Sequence, residues 1–283
     1  MSSLPPILVI NLKRSEDRRR HMEKELGRFG VKYSFFPAVD GNKLTREERR
    51  SYSLKHAVST YNKPLINKQI GCALSHIYVY KKMVAQSIKE MLILEDDCIF
   101  EDHFFDLLNC RESWLPSGWG LVNFRTGVRD HDTDRIPLHN LSSSIPPLQL
   151  IALKRENYQT SCQLINLHGV QQLLDIAYPI RTTADGLTGL ASISRLNTYT
   201  IFPHLVRGAG FRSTIGAGRG FEEWKRQQLR RWAKLRHGAD RKSAIEEDRS
   251  PGTLKRISMQ ELIKKELLKL GRRVREITTQ IEP

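Results

Sequence analysis

Met91-Leu92-Ile93-Leu94-Glu95-Asp96-Asp97 places four consecutive apolar residues directly before three consecutive carboxylates. The apolar run reads as a buried strand, and the acids gather at its C-terminal end. Clustered carboxylates resist both desolvation and mutual approach, so such a tip is costly unless a cation neutralises it. Oxygen ligands suit hard cations such as Mg²⁺ or Mn²⁺, which keep open positions for substrate phosphates. The plainer alternative is a solvated strand-to-helix turn, with Asp102 capping the next helix. The triplet alone does not choose between them.

Working outward, the first two hundred residues alternate between strand-like and helix-like segments, which predicts an α/β domain around a largely parallel sheet. Ile7 to Leu12 reads as a buried strand. Ser15 opens a helix with Glu16 and Asp17 in its first turn and Met22, Leu26 and Phe29 on its apolar face, until Gly30 stops it. Val31 to Phe36 is the second strand, and Pro37 to Gly41 its exit turn. A polar helix is expected from Thr45 to about Leu54, then a loop through Pro64. From Gly71, Leu74, Ile77, Tyr78, Val84 and Ile88 recur at helical spacing and lead into the acidic strand. Beyond it, Trp119 to Phe124, Ser161 to Leu167 and Thr198 to Phe202 predict strands, Gly169 to Ala177 a helix, and Arg129 to Pro147 a long surface loop.

The chain of 283 residues is long enough for a full core, and its composition is that of an ordinary globular protein. No stretch reaches the roughly 20 apolar residues that a membrane-spanning helix needs, and the N-terminus lacks a secretory pattern, so a cytoplasmic location is expected. Cys72, Cys98, Cys110 and Cys162 have no paired short spacing, which argues against a zinc motif or a disulfide framework and for reduced, mostly buried thiols.

The net charge is +15. Between Trp224 and Lys242 eight basic residues face a single acid, Asp240, and Trp224 and Trp232 are interleaved with them. That composition suits an anionic lipid interface, with nucleic acid as the rival partner and a solvated helix face as the plain reading. Ile263, Leu267, Leu270, Val274, Ile277 and Ile281 form a heptad seam. It predicts a helix that packs on its own domain, pairs as a coiled-coil homodimer, or lies on a membrane surface.

Four segments occur in order over the first hundred residues. They are Val9-Ile10-Asn11-Leu12 with Arg14, Asp17 and Arg18; Phe36-Pro37-Ala38-Val39-Asp40-Gly41; Gly71-Cys72-Ala73-Leu74-Ser75-His76; and Leu92-Ile93-Leu94-Glu95-Asp96-Asp97. Together they resemble glycosyltransferase family 25, which includes lipooligosaccharide β-galactosyltransferases and collagen galactosyltransferases. The resemblance continues loosely through Val170 to Leu187 and Ser213-Thr214-Ile215. It implies a GT-A-like, Rossmann-type nucleotide-sugar-binding domain over residues 1–215, followed by a basic helical extension over 216–283.

Carried over residue by residue, the resemblance makes Asp97 the direct ligand of Mn²⁺ or Mg²⁺, with Glu95 ligating through water or touching the ribose, and Asp96 a donor-binding residue. It places Asn11, Leu12, Arg14, Arg18, Ala38, Asp40, Ser75 and His76 around a UDP-sugar donor. The plainer readings are that Arg14 and Arg18, one helical turn apart, are solvated, that Ala38 and Asp40 form an exit turn, and that His76 is a structural histidine. Cys72 is read as core. Asp185 is the candidate base that removes the acceptor's proton, with a helix N-cap as its alternative. His204 is a further candidate metal ligand. The function expected is metal-dependent, inverting transfer of a hexose, galactose from UDP-galactose, to a lipid-linked saccharide, by an enzyme that is cytoplasmic and peripheral on the inner membrane. Partners are the donor, the acceptor, an anionic membrane surface and a second copy of the chain, not nucleic acid. A transferase using another UDP-hexose and a non-catalytic polyanion-binding protein are the rivals; no phosphate-cradling P-loop pattern supports a phosphoryl-transfer enzyme.

Overall fold

The computed structural model describes residues 4–61, 64–125, 135–138, 145, 147–153 and 159–215. The chain begins with β1 (Ile7–Asn11), α1 (Glu16–Gly27) and β2 (Ser34–Pro37), then a 3-10 turn at Gly41–Lys43, α2 (Arg46–Arg50), α3 (Leu54–Tyr61), α4 (Asn67–Ala85) and β3 (Glu90–Glu95). It continues through β4 (Cys98–Phe100), α5 (Phe104–Asn109), a second 3-10 turn at Arg111–Ser113, β5 (Leu121–Asn123), β6 (Arg135–Pro137), β7 (Gln149–Ala152) and β8 (Cys162–Asn166). α6 (Leu167–Ala177), α7 (Ala184–Gly189), α8 (Ala191–Ser194), β9 (Thr198–Phe202) and β10 (Val206–Gly208) complete it.

Eight strands form one sheet in the order β2-β1-β3-β8-β5-β9-β7-β6, and β4 pairs with β10 in a separate two-stranded ribbon. The apolar runs of β1 and β3 are continuous because both faces of the sheet are covered. Ile7, Val9, Leu92 and Leu94 point to one side, where they meet Met22 and Leu26 of α1 and Phe104, Leu107 and Leu108 of α5. Leu8, Ile10, Met91 and Ile93 point to the other, against Leu74, Ile77 and Met83 of α4 and Val170 and Leu173 of α6. The result is a three-layer α/β sandwich.

Several expectations need correction. The sheet is mixed rather than largely parallel: β1 runs parallel to β2 and β3, but β8 lies antiparallel between β3 and β5. Thr45 and Glu48 form a reciprocal capping box, so α2 starts where expected, but it ends at Arg50, and α3 occupies much of the predicted loop. α4 begins at Asn67, one turn before Gly71. Gly71 sits inside the helix because a Cβ there would meet the Val39 carbonyl oxygen at 2.7 Å. The acidic triplet leads into β4 and not directly into a helix, and Asp102 pairs with Arg28 instead of capping α5. Part of the expected 129–147 loop is the edge strand β6.

No helix among the described residues is long and apolar enough to cross a membrane. The basic run, Trp224 and Trp232, and the heptad seam lie outside the described residues.

Candidate active site

Strand direction assembles the site. Because β1 and β3 are parallel and in register at Ile10 and Glu95, Asn11 and the acidic triplet leave the sheet at the same edge. β2 brings Pro37 opposite Asn11, and Ala38 donates its N–H to the Asn11 carbonyl at 2.9 Å. Antiparallel β8 starts at this edge, so the residues preceding it, Gln159, Thr160 and Ser161, arrive there too. β5 ends there, at Asn123 opposite Gln163, and delivers Arg125 just beyond. Ligands of open α/β sheets bind at such carboxyl edges.

The three acids are treated differently. Asp96 is buried, and both its oxygens are taken: Oδ2 accepts from Asn11 Nδ2 at 2.7 Å, and Oδ1 accepts from the Arg18 guanidinium. Arg18 is itself buried, lies under the Phe211 ring with its guanidinium carbon 5.2 Å from the centroid, and reaches the Arg212 carbonyl at 3.4 Å. Asp97 has ion-pair contacts only, Arg125 at 3.7 Å and Arg18 at 3.9 Å, and its Oδ1 is buried with no hydrogen-bond donor. Burial, and then the Glu95 charge, push the Asp97 carboxyl above its ordinary range, although Arg18 and Arg125 pull it down. Glu95 accepts from the Thr160 hydroxyl at 2.6 Å and lies 3.6 Å from His76 Nε2. Burial pushes its carboxyl up, but the His76 imidazole, Thr160 and Arg125 outweigh that and hold it below its ordinary value.

Oxygen lone pairs of the kind a hard cation takes remain on the partly exposed Glu95 and on Asp97 Oδ1, whereas Asp96 is spent on Asn11 and Arg18.

Two cavities open on this edge. The smaller, about 90 Å³, is lined by Leu12, Arg14, Arg18, Ala38, Ser75, His76, Glu95 and Asp96 among others. It thus gathers most of the residues that the sequence nominates for the donor. The remaining two stand behind it: Asn11 holds Asp96, and Asp40 pairs with Arg14 while capping the 3-10 turn through Asn42 N–H at 2.9 Å. Ser75 is fully engaged, accepting from Val39 N–H at 2.9 Å and donating to the Gly71 carbonyl at 2.7 Å, so it fixes the β2 exit against α4. The larger cavity, about 310 Å³, is lined by Arg125, Gln159, Thr160, Ser161 and Asp185 together with Glu95. Cys72, Glu95 and Ile215 belong to both walls. Cys72 is therefore a wall residue and not core.

Asp185 is not the N-cap of α7. Thr183 takes that position, its hydroxyl accepting from Gly186 N–H at 3.2 Å, and Asp185 stands in the first turn with Oδ1 bonded to Gly186 N–H at 3.0 Å. One carboxylate oxygen thus steadies the acid on a rigid turn that borders the larger cavity. His204 lines neither cavity; it is half-buried in the β9–β10 turn, with Nδ1 3.0 Å from the Ile201 carbonyl.

Sequence reading missed Arg125, Thr160 and Gln159. Arg125 had a usable signal, since it follows an apolar strand at the same sheet edge as Glu95 does. Thr160 had none, because its role depends on β8 running antiparallel.

A family model described as glycosyltransferase family 25 (LPS biosynthesis protein) matches residues 4–188. A glycosyltransferase 25 family member of Aedes aegypti is 31% identical over 177 residues, which are 60% of this chain and 28% of that protein. Human procollagen galactosyltransferase 2 is 27% identical over 177 residues, 59% of this chain and 27% of that protein. The chain thus spans under a third of the length of these relatives. A solved glycosyltransferase involved in glycosylation of the PBCV-1 major capsid superposes with a TM-score of 0.36 at 10% identity, over 70% of this chain and 81% of that one, a likeness too distant to carry weight. The match over residues 4–188 takes in the strand tips, helix α4 and Asp185, and by it the chain belongs to glycosyltransferase family 25.

Proposed function

We propose that the chain is a metal-dependent, inverting glycosyltransferase that moves galactose from UDP-galactose to a saccharide acceptor, most simply one linked to lipid. The observation that carries this reading is the pair of cavities meeting at Glu95, with Arg18 and Asp96 on one side and Asp185 on the other, while Asp97, next in the chain, lines neither. In this reading the smaller cavity takes the donor. Main-chain groups of Leu12 and Ala38 border the base, and Arg18, held by Asp96, presents a fixed positive charge to the diphosphate. Glu95 and Asp97 would hold Mn²⁺ or Mg²⁺, which when bound supplies positive charge to the departing UDP.

The acceptor hydroxyl enters from the larger cavity. Its oxygen bonds to the anomeric carbon as the bond from that carbon to the diphosphate oxygen breaks, and the hydroxyl proton passes to the Asp185 carboxylate. One displacement inverts the configuration, so an α-linked donor gives a β-galactoside. Galactose as the sugar is supported by the names of the procollagen galactosyltransferase relatives, and a lipid-linked acceptor by the family's description. The basic, tryptophan-bearing run from Trp224 to Lys242 would hold the enzyme at an anionic inner-membrane surface, near such an acceptor.

Calorimetry with UDP, with and without Mn²⁺, tests the central claim. UDP affinity that rises with Mn²⁺ is expected, and metal-independent or absent binding overturns it in favour of a polyanion-binding protein. A panel of UDP-hexoses, scored by metal-dependent donor hydrolysis, then tests the sugar: UDP-galactose should be turned over fastest. For the membrane, sedimentation with anionic liposomes should retain the full chain and lose one truncated after Gly220.

A further inference from the structure

Helix α4 carries a polar stripe to which the proposed transfer gives no chemical step. Cys72, His76 and Tyr80 follow at four-residue spacing, so they share one face and stack toward the tip of β3. His76 and Tyr80 are almost wholly buried, and both ring nitrogens of His76 and the Tyr80 hydroxyl lack any hydrogen-bond partner. The imidazole ring packs on Tyr80, with centroids 6.3 Å apart, and its Nε2 is 3.6 Å from Glu95, beyond hydrogen-bond reach. Leaving buried polar groups unsatisfied costs about 1–3 kcal/mol for each group. His76 meets Glu95 only at ion-pair distance and neither of its nitrogens has a hydrogen bond, which leaves the imidazole available to a ligand.

One ligand atom each from Cys72, His76 and Glu95 lies within 4.8 Å of the other two. We infer that Cys72, His76 and Glu95 form a binding site for a borderline-soft divalent cation of the Zn²⁺ class, separate in chemistry from the carboxylate pair Glu95 and Asp97. Sulfur, nitrogen and one oxygen are the ligand types that zinc selects and that Mg²⁺ and Mn²⁺ do not. In tetrahedral zinc sites ligand atoms stand about 3.3–3.8 Å apart, so side-chain movements of about an ångström complete this one. Binding displaces the Cys72 proton to solvent and leaves the thiolate on the metal. Cys72 and Glu95 line both cavities, so the fourth position opens where they meet, and occupancy by zinc takes Glu95 away from a harder ion.

The spacing of the cysteines gave no hint of this. The other ligands are a histidine one helical turn on and a glutamate from a strand.

The test needs neither donor nor acceptor, so it stands or falls apart from the transfer reaction. Titration of the full chain with Co²⁺ is expected to give an intense near-ultraviolet thiolate-to-cobalt band. Cys72→Ser should remove that band, and Cys110→Ser should keep it. Calorimetry with zinc chloride should show one site in the parent chain, weakened at least about tenfold in Cys72→Ser and in His76→Gln. Thermal melts of both variants identify any that fail to fold; in that event the parent chain's cobalt spectrum decides. Cobalt binding without the thiolate band, a band that survives Cys72→Ser, or no zinc binding by the parent would each overturn the inference.

Discussion

The two halves of the sheet build opposite walls of the site in different ways. On the β2-β1-β3 side strands are parallel, and the polar residues at their tips satisfy one another: Asn11 and Arg18 hold Asp96, Ser75 ties Val39 to Gly71, and Asp40 pairs with Arg14. On the β8-β5-β9 side the strands run in both directions and the wall is looser, with Arg125 3.7 Å from Asp97 and 3.4 Å from the Ser161 hydroxyl. Around the acidic tip, Asp97 Oδ1 and both nitrogens of His76 are left without hydrogen bonds. The contrast separates a preformed cradle from an open face that a ligand has to complete. A preorganised wall costs nothing to rearrange at the moment of reaction.

The sharpest way to break this comparison is Asp97→Asn. If the last acid of the strand tip is left short of partners in order to hold a cation, the variant should lose at least about a thousandfold in kcat/KM. Its melting temperature should rise. A carboxyl held above its ordinary range is protonated more readily in the folded chain, so its charged form opposes folding as pH rises through that value; asparagine removes this penalty. A variant that is both less stable and inactive would make Asp97 a structural residue. Asp185→Asn probes the looser wall. Transfer should fall by about a hundredfold or more while calorimetric UDP affinity stays unchanged, and intact transfer would reduce Asp185 to a helix-turn residue.

Within the cradle the effect should appear as stability. Arg18→Gln leaves buried Asp96 with only Asn11 as partner, and should cost about 3 kcal/mol in denaturant unfolding. Gly71→Ala should cost less, about 1–3 kcal/mol, because the new methyl presses on the Val39 carbonyl and the Gly41 backbone N–H. It should also weaken UDP binding, since Val39 and Gly41 line the smaller cavity. Unchanged UDP affinity would detach that cavity from the donor.

The same division explains what was legible in the sequence. The parallel half follows from local signals: apolar runs at β1 and β3, a stop at Gly30, and carboxylates placed straight after a strand. Most of its nominated residues line one cavity because parallel neighbours necessarily end at one edge. The other half depends on strand direction and order, which local signals do not encode. Nothing local shows that β8 inserts antiparallel between β3 and β5, so Thr160 could not be placed beside Glu95. Cys72 looked like core because a thiol within an apolar helix usually is. Its position on the wall follows from Gly71, which lets the Val39–Gly41 backbone approach that face of α4.

Arg14 gives the smallest expected effect and the finest division. It lies one turn before Arg18 and makes an equivalent-looking ion pair, but its side chain is 45% exposed where that of Arg18 is 9%. An exposed pair contributes up to about 1 kcal/mol, because water screens it and the long side chain loses freedom in holding it. Arg14→Gln should therefore leave the unfolding midpoint almost unmoved. If Arg14 faces the donor's diphosphate from the rim of the smaller cavity, UDP affinity should still fall by up to about fivefold, and the loss should shrink as salt is raised. Salt-independent weakening would mean that Arg14 acts by positioning Asp40 and the 3-10 turn beneath it and not through its charge. The cradle's rim would then be as preorganised as its floor, and electrostatic capture of the donor would rest on Arg18 alone.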